Sequence, residues 1–184
     1  MKLFVATDIH GSAYWAERIV EEFKQSGADK LILLGDVYNH GPRNPFPREY
    51  APMKVAEAFN TIADKIISVK GNCDSEVDEM ISEFPFVKEH IETLGDRQLY
   101  FTHGHVYNKE NVPECLKDGD ALIYGHFHQN ETTVVNGVLC VCVSSVSLPK
   151  DVPSYCIVND DGASVYQFDE TDSGGVKLLN SQAK

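Results

Sequence analysis

A chain of 184 residues, 42% hydrophobic and 24% charged, has the size and composition of one domain able to bury its own core. Its formal net charge of −12 excludes a general binder of long nucleic acid or of an anionic membrane surface, since both depend on Lys and Arg neutralising phosphates. No apolar run approaches the ~20 residues that span a bilayer, and Met1–Ala6 is too short for a signal peptide, so the expected location is the cytoplasm.

Leu3 to Thr7 reads as a short apolar strand. Ser12 to Gln25 follows with helical spacing, placing Ala16, Ile19, Val20 and Phe23 on one face, and Gly27 is the stop. Leu31 to Leu34 is a continuous apolar run, as in a strand buried on both faces. Asn39 to Pro52 is a loop with four prolines, long enough to be functional. A second helix is expected from about Ala51 to Asp64, with Val55, Ala58, Phe59 and Ile62 inward. Ile66 to Val69 is a third strand, and Ser75 to Phe84 a short acidic helix capped by Ser75, with Asp78 reaching back. This β-α-β-α-β order predicts a parallel sheet with helices on its faces.

The second half differs. Gln98–Thr102, Ala121–Tyr124, Thr132–Val135, Val138–Val143, Tyr155–Val158 and Ser164–Phe168 are strand-like, with hairpin signals at Asn136-Gly137 and Asp161-Gly162. A second, mostly antiparallel sheet packed against the first is expected. Residues 1–184 form a single domain, and the polar tail after about residue 170 is expected to be loosely ordered. The five cysteines form neither a disulfide framework nor a zinc-ribbon spacing. Cys140 and Cys142 alternate along an apolar strand and read as small buried hydrophobes pointing the same way.

Chemistry concentrates in separated stretches that each follow an apolar run: Asp8-Ile9-His10-Gly11, Gly35-Asp36, Gly71-Asn72-Cys73-Asp74, Thr102-His103-Gly104-His105 and Gly125-His126-Phe127-His128. In a parallel sheet, ligands bind outside the carboxyl ends of the strands. Imidazole, carboxylate and amide oxygen together suit borderline divalent metals rather than Ca²⁺. Singly, each residue reads as well as a turn former or a cap. Jointly and in this order, Asp8, His10, Asp36, Asn72, His103, His126 and His128 read as a site for two metal ions.

These stretches resemble the calcineurin-like metallophosphoesterase superfamily, whose pattern is D-x-H, G-D, G-N-[H/C]-D, G-H and G-H-x-H, and within it the small bacterial and archaeal phosphodiesterase branch. Leu33–Val37, Asn39–Pro42 and Ser145–Pro149 add to the match, which runs from about Leu3 to about Phe168. The resemblance implies an α/β fold, a four-layer α-β-β-α sandwich of two mixed sheets. It assigns one metal to Asp8, His10, Asp36 and His128, and the other to Asp36, Asn72, His103 and His126, with Asp36 bridging. The ions are two divalent cations, Mn²⁺ first, with Fe²⁺, Zn²⁺ and Ni²⁺ as alternatives. A bridging hydroxide then attacks phosphorus in line while both metals neutralise the phosphoryl oxygens.

Two departures matter. Larger family members carry His where this chain has Cys73, and that His protonates the leaving oxygen. Cys73 or His40 is therefore the candidate acid here, with Asp74 either orienting it or starting the following helix. Relatives also have Asn-Pro-Gly where this chain has Cys142-Val143-Ser144. Arg43, in the loop nearest the site, is the favoured phosphate contact, and the family gives His105 a supporting or substrate-side role. Arg48, Lys70 and Lys150 read as solvated surface charges, and Phe127 as a packing residue. Phe46 and Tyr50 offer apolar surface for a homo-oligomer contact. The expected function is a metal-dependent phosphodiesterase acting on a small phosphoester, with a phosphomonoesterase as one alternative. The other is a non-catalytic protein-binding scaffold, a use made of the fold by a eukaryotic retromer subunit.

Overall fold

A computed structural model gives the fold, describing residues 1–169 and 176–183. In chain order the first half runs β1 (Leu3–Ala6), α1 (Ala13–Ser26), β2 (Lys30–Leu33), α2 (Pro52–Asn60), β3 (Ile66–Val69), α3 (Glu76–Ile81) and β4 (Phe86–Val87). The middle is β5 (His90–Leu94), β6 (Arg97–Thr102), β7 (Ala121–Tyr124), β8 (Glu131–Val135) and β9 (Val138–Cys142), followed by β10 (Ser154–Asn159), β11 (Gly162–Phe168) and β12 (Val176–Ala183).

The helices form where the sequence signals them. Ser12 caps α1 by accepting from the Trp15 N–H at 3.4 Å, and Gly27, at φ 65°, ends it. Its apolar stripe of Trp15, Ala16, Ile19, Val20 and Phe23 is buried. Pro52 opens α2, which stops at Asn60 rather than Asp64 because the Thr61 hydroxyl takes the Ala58 carbonyl at 2.7 Å and a 3₁₀ turn, Ala63–Lys65, follows. At α3 the Ser75 N–H donates to Asp78 Oδ2 at 2.7 Å, the expected reciprocal cap, and the helix ends at Ile81 rather than Phe84.

The first sheet has the order β12-β11-β10-β1-β2-β3-β4, with β1 to β4 parallel; the second has the order β5-β6-β7-β9-β8. The second sheet is mixed rather than mostly antiparallel, since β6, β7 and β9 pair in parallel while β5 and β8 are antiparallel edges. The strands Tyr155–Val158 and Ser164–Phe168 also belong elsewhere than expected: within β10 and β11 they return to the first sheet, beside β1. The reason is burial on both faces. Tyr155 and Ile157 join the helix-side core, while Cys156 and Val158 join the core between the sheets, which only an interior strand can satisfy. The chain after residue 170, expected to be loose, supplies β12, paired to β11; residues 170–175 and 184 lie outside the described residues.

Three apolar layers hold this together. Phe4, Ala6, Leu31 and Leu33 face α1 and α2. Leu3, Val5, Ile32 and Leu34 face Leu99, Phe101, Ile123 and Val141 across the inter-sheet core. On the far side of the second sheet, Tyr100, Leu122, Tyr124, Cys140 and Cys142 are covered by Tyr107, Val112 and Leu116. That outer layer is thus the irregular segment between β6 and β7, and among the described residues it contains no helix.

Candidate metal centre

Every candidate ligand lies just past the carboxyl end of a strand that has a parallel neighbour: Asp8 and His10 after β1, Asp36 after β2, Asn72 after β3, His103 after β6, and His126 and His128 after β7. Backbone bonds continue the ladder into these loops, with Asp8 N to Gly35 O at 3.1 Å, His10 N to Asp36 O at 2.9 Å and Gly125 N to His103 O at 2.8 Å. The backbone is unusual here. Asp8, His10, Asp36, His126 and His128 all have positive φ, between 50° and 69°, a region that costs non-glycine residues energy and persists only where surroundings over-determine it.

Three imidazoles are oriented alike. His10 Nδ1 lies 2.8 Å from the Asn39 carbonyl, His103 Nδ1 2.7 Å from the Leu34 carbonyl, and His128 Nδ1 2.8 Å from the Leu148 carbonyl. A carbonyl only accepts, so each Nδ1 carries hydrogen and, in the neutral ring that binds a metal, each Nε2 is a lone pair. Those lone pairs converge. His10 Nε2, His128 Nε2 and Asp8 Oδ1 lie 3.2–3.4 Å apart. His103 Nε2 lies 2.9 Å from Asn72 Oδ1 and 3.2 Å from His126 Nδ1. Asp36 Oδ2 stands between the two groups, 3.9 Å from His10 Nε2 and 3.5 Å from His103 Nε2.

The second oxygens of both carboxylates are already used. Asp8 Oδ2 accepts from Thr7 Oγ1 at 2.7 Å and from His126 N at 3.0 Å, and Asp36 Oδ1 accepts from Cys73 N at 2.8 Å. Asp8 Oδ1 is fully buried and has no hydrogen-bond partner. Acceptor therefore faces acceptor, an arrangement that needs a proton or a cation between the atoms. The donor set fits a metal: Asp8, His10 and His128 form one compact group, and Asp8, Asp36 and His103 another.

Without a cation, protons do this work. Burial alone would neutralise Asp8, yet contacts with His10 and His128 and the charge of His103 hold its carboxyl well below the usual range. Burial likewise opposes charge on His10 and His103, but Asp8 raises the first, and Asp36 together with Asp8 raises the second to about 9. His126 goes the other way, to about 4, through burial and the neighbouring charge of His103.

A cavity of about 630 Å³ opens over this cluster, walled by His10, Asp36, Asn72, His126 and His128 together with Arg43, Cys73 and Lys150. Arg43 and Cys73 thus lie where the sequence suggests. Lys150, read there as a surface charge, is a wall residue. Burial and the charge of Asp36 push the Cys73 thiol up to about 12. Asp74 does not line the cavity. Its carboxylate accepts from Asp36 N, Val37 N and Gly71 N at 2.7–2.9 Å, so it braces the Asp36 loop rather than orienting an acid. His40 is also absent from the wall, because its ring packs against Phe46 and Tyr50, 4.5 and 5.2 Å between centroids. His105 lies 5.3 Å from the His103 ring but opens onto a neighbouring groove with Lys70, Phe86 and Lys88. Phe46 is exposed.

The sequence gives Thr7, Asn39 and Ser145 no role toward the ligands, although their hydroxyls and carbonyl aim them, because their partners are set by the fold. Gly125 is a further constraint: a Cβ there would run into Thr7 Oγ1 and Asp8 Oδ2. Gly125→Ala is expected to destabilise the metal-free protein by roughly 1–3 kcal/mol, the usual cost of overpacking, read as a lower urea midpoint.

Residues 1–162 match the model of the calcineurin-like phosphoesterase superfamily domain. The chain is 46% identical over 173 residues to phosphodiesterase YfcE of Escherichia coli (strain K12), covering 92% of this chain and 94% of that protein. The solved structure of Yfce, described as a phosphoesterase from E. coli, superposes with TM-score 0.90 at 41% identity, covering 100% of this chain and 99% of that one. Vps29 from Entamoeba histolytica, solved with zinc, shares the fold at TM-score 0.60 and 18% identity, over 100% of this chain and 99% of its own.

Proposed function

The chain belongs to the calcineurin-like phosphoesterase superfamily, and from that premise we propose that it is a metal-dependent phosphodiesterase with a two-ion centre. Asp8, His10, Asp36 and His128 would hold one ion, and Asp36, Asn72, His103 and His126 the other. The observation that carries this reading is the convergence of imidazole lone pairs on the unpartnered Asp8 Oδ1. Bound divalent ions supply Lewis acidity, activating water near neutral pH and neutralising charge on phosphoryl oxygens. Arg43 and Lys150 in the cavity wall attract and orient a small anionic phosphoester. Mn²⁺ is the ion we favour, supported by the mixture of imidazole, carboxylate and amide oxygen. Five unpaired cysteines support a reducing, cytoplasmic setting.

The test is hydrolysis of bis(p-nitrophenyl) phosphate with and without Mn²⁺, beside p-nitrophenyl phosphate. Mn²⁺-dependent turnover that favours the diester and vanishes with EDTA is expected. Uptake of Mn²⁺ without hydrolysis of either ester would instead point to a binding scaffold.

A pH dependence follows from His103. A histidine raised to about 9 must lose its proton to accept a metal, so metal and proton compete. Mn²⁺ affinity should therefore rise with pH up to about 9 and level off above it, by up to about tenfold per pH unit for one displaced proton. Without metal the sign reverses. The charged His103 stabilises the fold below its unfolded pKa of about 6.5, and that contribution is lost as pH rises through about 9. Calorimetric titration and thermal melts across pH 6–9 read the two slopes.

A further inference from the structure

Resting on the two-ion reading above, we infer that the segment Ser145–Lys150 is the positioning element of one metal site, that of Asp8, His10 and His128, and sets its affinity separately from the other.

Ser145 is fully buried and uses its whole hydrogen-bonding capacity. Its hydroxyl donates to the Asp8 carbonyl at 2.7 Å and accepts from Ser147 N at 3.2 Å and Leu148 N at 2.9 Å. The Ser147 hydroxyl donates to the same Asp8 carbonyl at 2.9 Å. Two hydroxyls thus pin a peptide whose φ of 55° an aspartate does not hold unaided. Val146 N adds a bond to the Thr7 carbonyl at 3.3 Å. With the backbone fixed in this way, Thr7 Oγ1 and His126 N occupy Asp8 Oδ2, and Oδ1 is the oxygen presented to the cluster.

The same segment holds His128 from two sides. The Leu148 carbonyl takes the Nδ1 hydrogen at 2.8 Å, and Lys150 N donates to the His128 carbonyl at 2.7 Å. Among the described residues, its hydrogen bonds reach neither Asn72 nor His103 nor His126. His103 is instead aimed by the Leu34 carbonyl, from the first sheet. The two sites therefore have separate outer supports, joined at Asp36, at Asp8, which stands in both ligand groups, and at the Asp8–His126 bond. Outer partners of metal ligands typically change affinity 10- to 100-fold, so removing these hydroxyls should unbalance the pair.

The experiment is calorimetric Mn²⁺ titration of the metal-free full chain, for wild type, Ser145→Ala and Ser147→Ala, with melting temperatures of the metal-free forms. Ser147→Ala is expected to weaken one of two binding steps by about 10- to 100-fold, leaving the other step and the metal-free melting temperature close to wild type. Ser147→Thr, which keeps the hydroxyl, should restore the weakened step. In a His128→Ala background Ser147→Ala should add little, because that site is already broken; in a His126→Ala background it should have its full effect. Ser147 loses a single side-chain bond, so it carries the test even where Ser145→Ala fails to fold. Equal weakening of both steps, or a further loss on top of His128→Ala, overturns the proposal. Two wild-type steps in Ser147→Ala overturn it alone, whereas a wild-type protein taking up no Mn²⁺ overturns the two-ion reading as well.

Discussion

Asp36→Asn is expected to remove diester hydrolysis by at least about 10²–10³-fold, the scale seen when one preorganised electrostatic group is lost, and to cut Mn²⁺ uptake. Asp36 Oδ2 is the carboxylate oxygen that faces both imidazole groups, at 3.9 Å from His10 Nε2 and 3.5 Å from His103 Nε2. Its partner Oδ1 is committed to the Cys73 N–H at 2.8 Å. An amide has only one accepting oxygen. If that oxygen keeps the Cys73 bond, the NH₂ points at the metal position; if it turns inward, the NH₂ meets the Cys73 N–H. Either way the negative charge between the two sites is gone. A second readout needs no metal. His103, raised to about 9 against the pull of burial by Asp36 and Asp8, should titrate lower in the variant, as followed by imidazole NMR. Full metal uptake with only a few-fold loss of rate would contradict a bridging role.

Cys73→His is expected to raise turnover of diesters with poor, alkyl-type leaving groups by about 10²-fold or more, the lower range of general acid catalysis. It should change p-nitrophenyl esters little. An effective acid has a pKa near the working pH. The Cys73 thiol, in the cavity wall, is pushed up to about 12 by burial and by the Asp36 charge, so it holds its proton too tightly to help a departing oxygen. The same Asp36 charge that hinders a thiol from ionising favours a protonated imidazole. The thiol lines the cavity of about 630 Å³, and a ring at this position would extend into it. Rates across a series of leaving groups decide the matter: the variant should show a flatter dependence on leaving-group basicity, and an equal gain on all esters, or a loss, would sink the idea.

Much of the fold is legible before any coordinates. β3 begins and ends where the apolar run does, α1 is shifted by one residue, and Ser12, Gly27 and the Ser75–Asp78 pair act as read. These are local devices, so local sequence encodes them. β4, β5 and β12 are not legible, because they are short or weakly patterned strands whose existence depends on a neighbour to pair with. The assignment of β10 and β11 to the first sheet is decided by which faces must be buried, a property of the assembled layers.

The site divides along the same line. By itself the sequence determined where the candidate ligands stand, because Asp8, His10, Asp36, Asn72, His103, His126 and His128 each come shortly after an apolar, strand-like run. It left Asp74 without a settled role, whereas the fold sets its carboxylate against the Asp36, Val37 and Gly71 N–H groups. Only the tertiary structure decided direction. The carbonyls of Asn39, Leu34 and Leu148, which turn the imidazoles of His10, His103 and His128, lie 29, 69 and 20 residues from the rings they hold. The bond from His103 in the second sheet to Leu34 at the end of β2, and those from His126 and Ser145 to Asp8, form only when the two sheets pack. A hydrogen bond points where its partner stands. When that partner is remote in the chain, no local pattern records the direction, and the same residues that spell a metal centre leave open which atoms face it.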